Sequence, residues 1–108
     1  MCSSENEFQL LRALDANSEV SQRQLAKSMG ISLGSINYCL NALVNKGCVK
    51  VENFISNPKK SGYMYLLTPK GVREKSKLTV AFLERKQKEY VRLQYEIKQL
   101  QDELNGNQ

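Results

Sequence analysis

The stretch TPKGVREKSKLTVAFLERKQKEYVRLQYEIKQLQDEL, residues 68–104, constrains the fold more than any other part of the chain. Thr68 and Pro69 read as a helix start, with Thr68 as cap and Pro69 at the first helical position. From Pro69 to about Leu104 only the early Gly71 interrupts a helical pattern of some 36 residues, roughly 54 Å of helix. A chain of 108 residues builds one small core. A helix of that length cannot lie against such a core alone, so residues 69–108 are expected to form a separate element with a second job.

Its pattern suggests the job. With Tyr90 at heptad position a, Leu93 falls at d, Ile97 at a, Leu100 at d and Leu104 at a. Leu83 extends the a series upstream, although Lys86 occupies the intervening d. Two to three heptads of this kind fit a short dimeric coiled coil. Glu89, Glu96 and Glu103 sit at g, opposite Gln87, Gln94 and Gln101 at e in a parallel pair. Antiparallel pairing would set glutamates against each other, a weak preference for parallel. Val72, Leu78, Phe82 and Leu83 give a wider apolar face, expected to dock on the preceding domain or on a partner. The seven cations between Lys70 and Lys88 read as a solvated helix face.

Residues 1–68 carry a different alternation. Ser4 and Glu7 have capping-box spacing ahead of an apolar stripe of Phe8, Leu11 and Leu14, with Leu10 beside it. Ser21 and Gln24 repeat the box before a short helix ending at Gly30, a residue suited to a left-handed turn. Ser32 caps a third helix with Ile36, Cys39, Leu40, Leu43 and Val44 inward, stopped by Gly47. Val49 and Val51 then alternate with Lys50 and Glu52, NPKKSG reads as a turn, and YMYLL as a second strand. The order is α-α-α-β-β followed by the long helix, a mainly α (α+β) fold.

QRQLAKSMGISLGSINYCL fits a helix-turn-helix, with Ala26 small at the crossing and Gly30 at the turn. An ordinary helical hairpin has similar spacings, but the following hairpin makes the whole a winged helix. In that arrangement the third helix, about residues 32–46, enters the major groove and the wing, about residues 48–67, approaches the backbone or minor groove. Ser32, Leu33 and Gly34 form the entry, and Ser35, Asn37, Tyr38 and Asn41 lie on the outer face with Asn45. Short polar side chains allow close approach, and Asn can pair with the N6 and N7 atoms of adenine. No arginine lies on that face, so the bidentate guanine contact is missing. Gln22 and Arg23 are candidate backbone anchors, and Lys59 and Lys60 at the wing tip are candidate phosphate contacts.

Other chemistry finds little support. Histidine is absent, removing the commonest general base and metal ligand. No phosphate loop, metal cluster or triad can be assembled, so neither an enzyme nor a cofactor is expected. Cys2, Cys39 and Cys48 are odd in number and lack CxxC spacing, which predicts structural thiols rather than a disulfide framework and fits a reducing, cytoplasmic compartment. No run approaches the roughly 20 apolar residues of a membrane span. A net charge of +5 favours an anionic partner without naming one.

SLGSINYCLNALVNKGCVKVENF, YLLTPKG and KLTVAFLERKQKEY together resemble the MarR-type winged-helix regulators. More narrowly, they are similar to the subgroup described as exopolysaccharide-associated transcriptional regulators. The resemblance runs from about Phe8 to Leu100. It implies a homodimeric regulator of double-stranded DNA, encoded with genes for making extracellular polysaccharide. MarR proteins usually carry further helices at both ends that frame a ligand pocket. This chain has one short helix before the helix-turn-helix, which speaks against a small-molecule effector. The alternative is a protein–protein adaptor on the same scaffold, without strong sequence-specific DNA binding.

Overall fold

The computed structural model of the chain describes residues 2–54 and 62–106. They form α1 (Ser4–Ala16), α2 (Gln22–Met29), α3 (Leu33–Asn45), β1 (Val49–Phe54), β2 (Gly62–Leu67) and α4 (Pro69–Leu104). The chain divides into two compact units, Met1–Leu78 and Thr79–Gln108, with α4 running from the first into the second. The architecture is mainly helical with a two-stranded antiparallel wing, as the sequence pattern predicts. The wing-tip residues Pro58, Lys59 and Lys60 lie outside the described residues.

In the first unit, the apolar stripes of three helices converge. Leu10, Leu11 and Leu14 of α1, Leu25 of α2, and Ile36, Cys39, Leu40 and Leu43 of α3 form one core with Cys48, Val49 and Tyr65. Each helix begins at a side-chain cap that satisfies an otherwise orphaned N–H. Ser21 and Gln24 make the expected reciprocal box on α2, and Ser32 Oγ accepts from the Ser35 N–H at 3.1 Å on α3.

The start of α1 differs from the sequence reading. Ser3, not Ser4, is the cap, and it accepts from the Asn6 N–H at 3.1 Å. With Ser3 as the cap, the third helical position falls to Asn6, and the buried carboxylate of Glu7 instead pairs with Lys46 just past α3. That hydrogen bond raises the Lys46 pKa above the usual lysine value, against a smaller opposing effect of burial. Its contribution to stability is therefore complete below the ordinary lysine pKa and fades as pH climbs through the raised one.

The cysteines also depart from expectation. Cys2 and Cys39 form a disulfide across 37 residues, with Cα atoms 5.3 Å apart, and Cys48 remains a buried free thiol. An odd count and the lack of CxxC spacing do not exclude a long-range pair. The packing of α1 on α3 brings residue 2, just ahead of α1, beside the middle of α3. On the chain-entropy account, a closed loop of this size restrains the unfolded state by about 4 kcal/mol.

The end of α3 is a Schellman turn. Gly47 takes the left-handed conformation at φ 77°, its N–H donates to the Val44 carbonyl, and the Cys48 N–H donates to the Leu43 carbonyl, both at 2.9 Å. The hairpin leaves from there in the register Val49↔Leu67 through Phe54↔Gly62. Val49 is buried while Val51, on the same side of the strand, is 40% exposed; its cross-strand partner Tyr65 is buried in the core. The Tyr65 N–H donates to the Ser18 carbonyl at 3.0 Å and ties β2 to the loop after α1.

The entry into α4 closes against the same corner. The Thr68 N–H donates to the Cys48 carbonyl at 3.0 Å, Thr68 Oγ1 accepts from the Gly71 N–H at 3.1 Å, and Lys70 Nζ donates to the Lys46 carbonyl at 2.6 Å. Leu78 packs against the core, whereas Val72 is exposed. Gly71 is required by contact rather than by backbone angle. A β-carbon there would collide with the Cys48 carbonyl oxygen and lie 3.0 Å from its carbon.

The second unit is the remainder of α4. Arg85 sits over the Phe82 ring at 4.8 Å, and Gln94 and Gln99 donate to the hydroxyls of Tyr90 and Tyr95, each at 3.1 Å. Leu83, Tyr90, Leu93, Ile97, Leu100 and Leu104 are between 51% and 88% exposed, an apolar stripe left uncovered by the described residues.

Gly71→Ala is expected to destabilise the fold by about 1–3 kcal/mol, the range for forcing an extra methyl into packed structure. Urea unfolding should show a lowered midpoint at constant slope. An unchanged midpoint would contradict the close approach of α4 to Cys48.

Candidate nucleic-acid interface

The turn between α2 and α3 follows from two residues. Gly30 adopts φ 68°, and the N–H groups of Gly30 and Ile31 both donate to the Ala26 carbonyl, at 2.9 and 3.2 Å. Ser32 then restarts the helix, and its Oγ donates to Ser35 Oγ at 2.9 Å. With Ile36, Cys39, Leu40 and Leu43 buried, helical geometry turns the intervening residues outward. Leu33, Gly34, Ser35, Asn37, Tyr38, Asn41 and Asn45 are all exposed. Six residues, Gly34, Asn37, Tyr38, Asn41, Ala42 and Asn45, line a shallow groove of about 390 Å³ along this face.

The electrostatic setting suits an anion. From Ser21 to Val51 the sequence holds no carboxylate and four cations, Arg23, Lys27, Lys46 and Lys50. Lys46 pairs with Glu7, and Lys50 with Glu52 at 3.0 Å. Arg23 and Lys27 are exposed at α2 and make no ion pair among the described residues. Arg23 thus stands where a phosphate contact can form. Lys59 and Lys60 lie outside the described residues.

Gln22 takes a role that the sequence does not disclose. Its Nε2 donates to the Tyr65 hydroxyl at 3.1 Å, and its Oε1 accepts from Asn37 Nδ2 at 3.4 Å. Asn37 Oδ1 in turn accepts from Asn41 Nδ2 at 3.2 Å. A row of side chains therefore links the outer face of α3 to the first turn of α2 and to the wing strand β2. Nothing in local spacing announces that Tyr65, read only as a strand residue, joins the site; the contact spans 43 residues. The apolar residues expected to mediate dimerisation, Leu83 through Leu104, lie in the second unit or on its helix.

Among the described residues no group of His, Cys, Asp and Glu could hold a metal ion, and no helix is long and apolar enough to cross a membrane.

Comparison with known proteins bears on this geometry. Residues 3–50 match the family model described as winged helix-turn-helix DNA-binding. No curated protein matches the sequence. Among solved structures, the PcaV transcriptional regulator from Streptomyces coelicolor, in complex with its natural ligand, is similar with a TM-score of 0.68 at 19% identity, over 94% of this chain and 76% of that one. A MarR family protein of Mycobacterium tuberculosis in complex with salicylic acid gives 0.67 at 22% identity, over 91% and 74%. Staphylococcus aureus MarR in complex with salicylate and kanamycin gives 0.61 at 18% identity, over 94% and 73%. At such identities the likeness is one of fold. Helix-turn-helix, wing, the match over residues 3–50 and these neighbours agree: the chain carries a winged helix-turn-helix domain, in a fold shared with MarR family regulators.

Proposed function

We propose that the protein is a DNA-binding transcription regulator of the MarR type, acting as a homodimer. The observation that carries this reading is the exposed face of α3, uncharged, polar and finely textured, within a helix-turn-helix free of carboxylates. Such a face suits a helix lying in the major groove, where short polar side chains can reach base edges and no carboxylate repels the phosphates. Ser32, Leu33, Gly34, Ser35, Asn37, Tyr38 and Asn41 are assigned to the groove. Arg23, Lys59 and Lys60 are assigned to phosphates, with Gln22 beside them.

The apolar stripe of α4 supports the homodimer. Six large apolar side chains in heptad register, each at least half exposed, are an unusual surface for a lone helix. Pairing two copies would cover them and set two α3 helices toward half-sites about one duplex turn, roughly 34 Å, apart. The resemblance to exopolysaccharide-associated regulators extends the proposal to genes for making extracellular polysaccharide as its targets. A small-molecule effector is not part of it.

Two outcomes test the proposal. If about six phosphates are neutralised per dimer, log affinity for a retained operator duplex should fall with log salt at a slope of roughly −5. A flat response, or no affinity for duplex DNA, would instead fit an adaptor that binds protein. Light scattering should report a dimer for the full chain and a monomer for a chain ending at Lys86. A dimer that survives the truncation contradicts the helix pairing.

A further inference from the structure

Gly34 is a glycine that the fold itself does not require. Gly30 and Gly47 hold positive φ, and Gly71 makes room for the Cys48 carbonyl. Gly34 lies in the first turn of α3 without positive φ, and a β-carbon added there would meet nothing nearer than Ser32 Oγ at 4.0 Å. Alanine at such a position suits the helix better and narrows the unfolded ensemble. Gly34 is exposed and lines the shallow groove along α3, one helical turn ahead of Tyr38, whose side chain is 55% exposed. None of the residues lining that groove is charged. The nearest hydroxyl, Ser32 Oγ, is already engaged with the N–H and the Oγ of Ser35.

We infer that the bare backbone at Gly34, beside the Tyr38 side chain, seats the 5-methyl group of a thymine in the major groove. This rests on the DNA-binding reading of α3. The first residues of a groove-bound helix come nearest the base edges. There the missing β-carbon lets the α3 backbone approach closer by the width of a methyl group. The methyl of thymine is the one apolar group that the four bases present in the major groove, and an uncharged surface gains by covering it. A phosphate would find no cation among the residues that line the groove, since Arg23 and Lys27 lie on α2. Cytosine in the same place lacks the methyl and leaves the space empty. Gly34 thus determines specificity through the atom it omits.

The test begins with the full-length protein and a pool of random duplexes. In a retained duplex, thymines are replaced one at a time by uracil, which differs only in lacking the methyl. At one position per half-site uracil should weaken binding about fourfold, the loss of one covered methyl group. Gly34→Ala should raise the urea midpoint at constant slope, yet weaken binding to the thymine duplex about tenfold, because two methyl groups then compete for one space. Uracil at that position in both half-sites should return most of the lost affinity, so that the variant prefers uracil where the natural protein prefers thymine. A lowered midpoint, an unchanged affinity of Gly34→Ala, or an equal loss on thymine and uracil duplexes at every position overturns the inference and leaves DNA binding intact. A protein that retains no duplex from the pool overturns the DNA-binding reading and this inference with it.

Discussion

The first unit depends on the corner where α3 ends and α4 begins. The Schellman turn at Gly47 satisfies the last carbonyls of α3 and turns the chain at once into β1. Cys48 then takes hydrogen bonds and packing from both sides: its N–H goes back to Leu43, its carbonyl accepts from Thr68, and Gly71 lies against it. One residue thereby fixes the end of α3, the root of the wing and the first turn of α4. Because the ends of β1 and β2 are clamped there, Tyr65 is delivered to the side of α2 that carries Gln22. The ordering of the outer face of α3 follows from a joint on its other end.

Much of this was legible in local sequence. The box of Ser21 and Gln24, the left-handed glycines 30 and 47, the cap at Ser32 and the Thr68-Pro69 start all declare themselves, because each answers a need of its own few residues. The division of α3 into buried and exposed faces is likewise a matter of 3.6-residue periodicity. What escaped is tertiary. Glu7 suits a capping box with Ser4, but the cap is Ser3, and Glu7 pairs with Lys46, a partner 39 residues on that local spacing does not show. Cys2 and Cys39 show no spacing signal because their meeting depends on the packing of α1 against α3. Gly71 looks like a flaw in a long helix, and its reason, the carbonyl of Cys48, lies 23 residues back. Gln22 and Tyr65 meet across the whole helix-turn-helix and wing.

The two units divide the physical work. The first is capped, cross-linked and packed around buried leucines, and its exposed α3 face is polar. The second, Thr79–Gln108, offers exposed heptad leucines and tyrosines held by hydrogen bonds and ion pairs along its own helix, such as Arg92 with Glu96 at 3.8 Å. On the proposed reading, a DNA-binding unit and a pairing helix suit a regulator whose specificity comes from two modest half-site contacts rather than one strong one. Without an arginine on α3, each half-site gains little by itself, and the proposed pairing through α4 supplies the second contact.

The central claim is that the outer face of α3 meets DNA. Proton–nitrogen NMR of the full chain, titrated with an operator duplex, follows the side-chain NH2 signals of Asn37, Asn41 and Gln22 directly. The account predicts large shifts for Asn41 and for the backbone of residues 33–41, with smaller shifts at Gln22, and little change at Leu10, Leu11 and Leu14 in the core. Shifts confined to residues 79–104, or absent from Asn37 and Asn41 at saturating duplex, would contradict it.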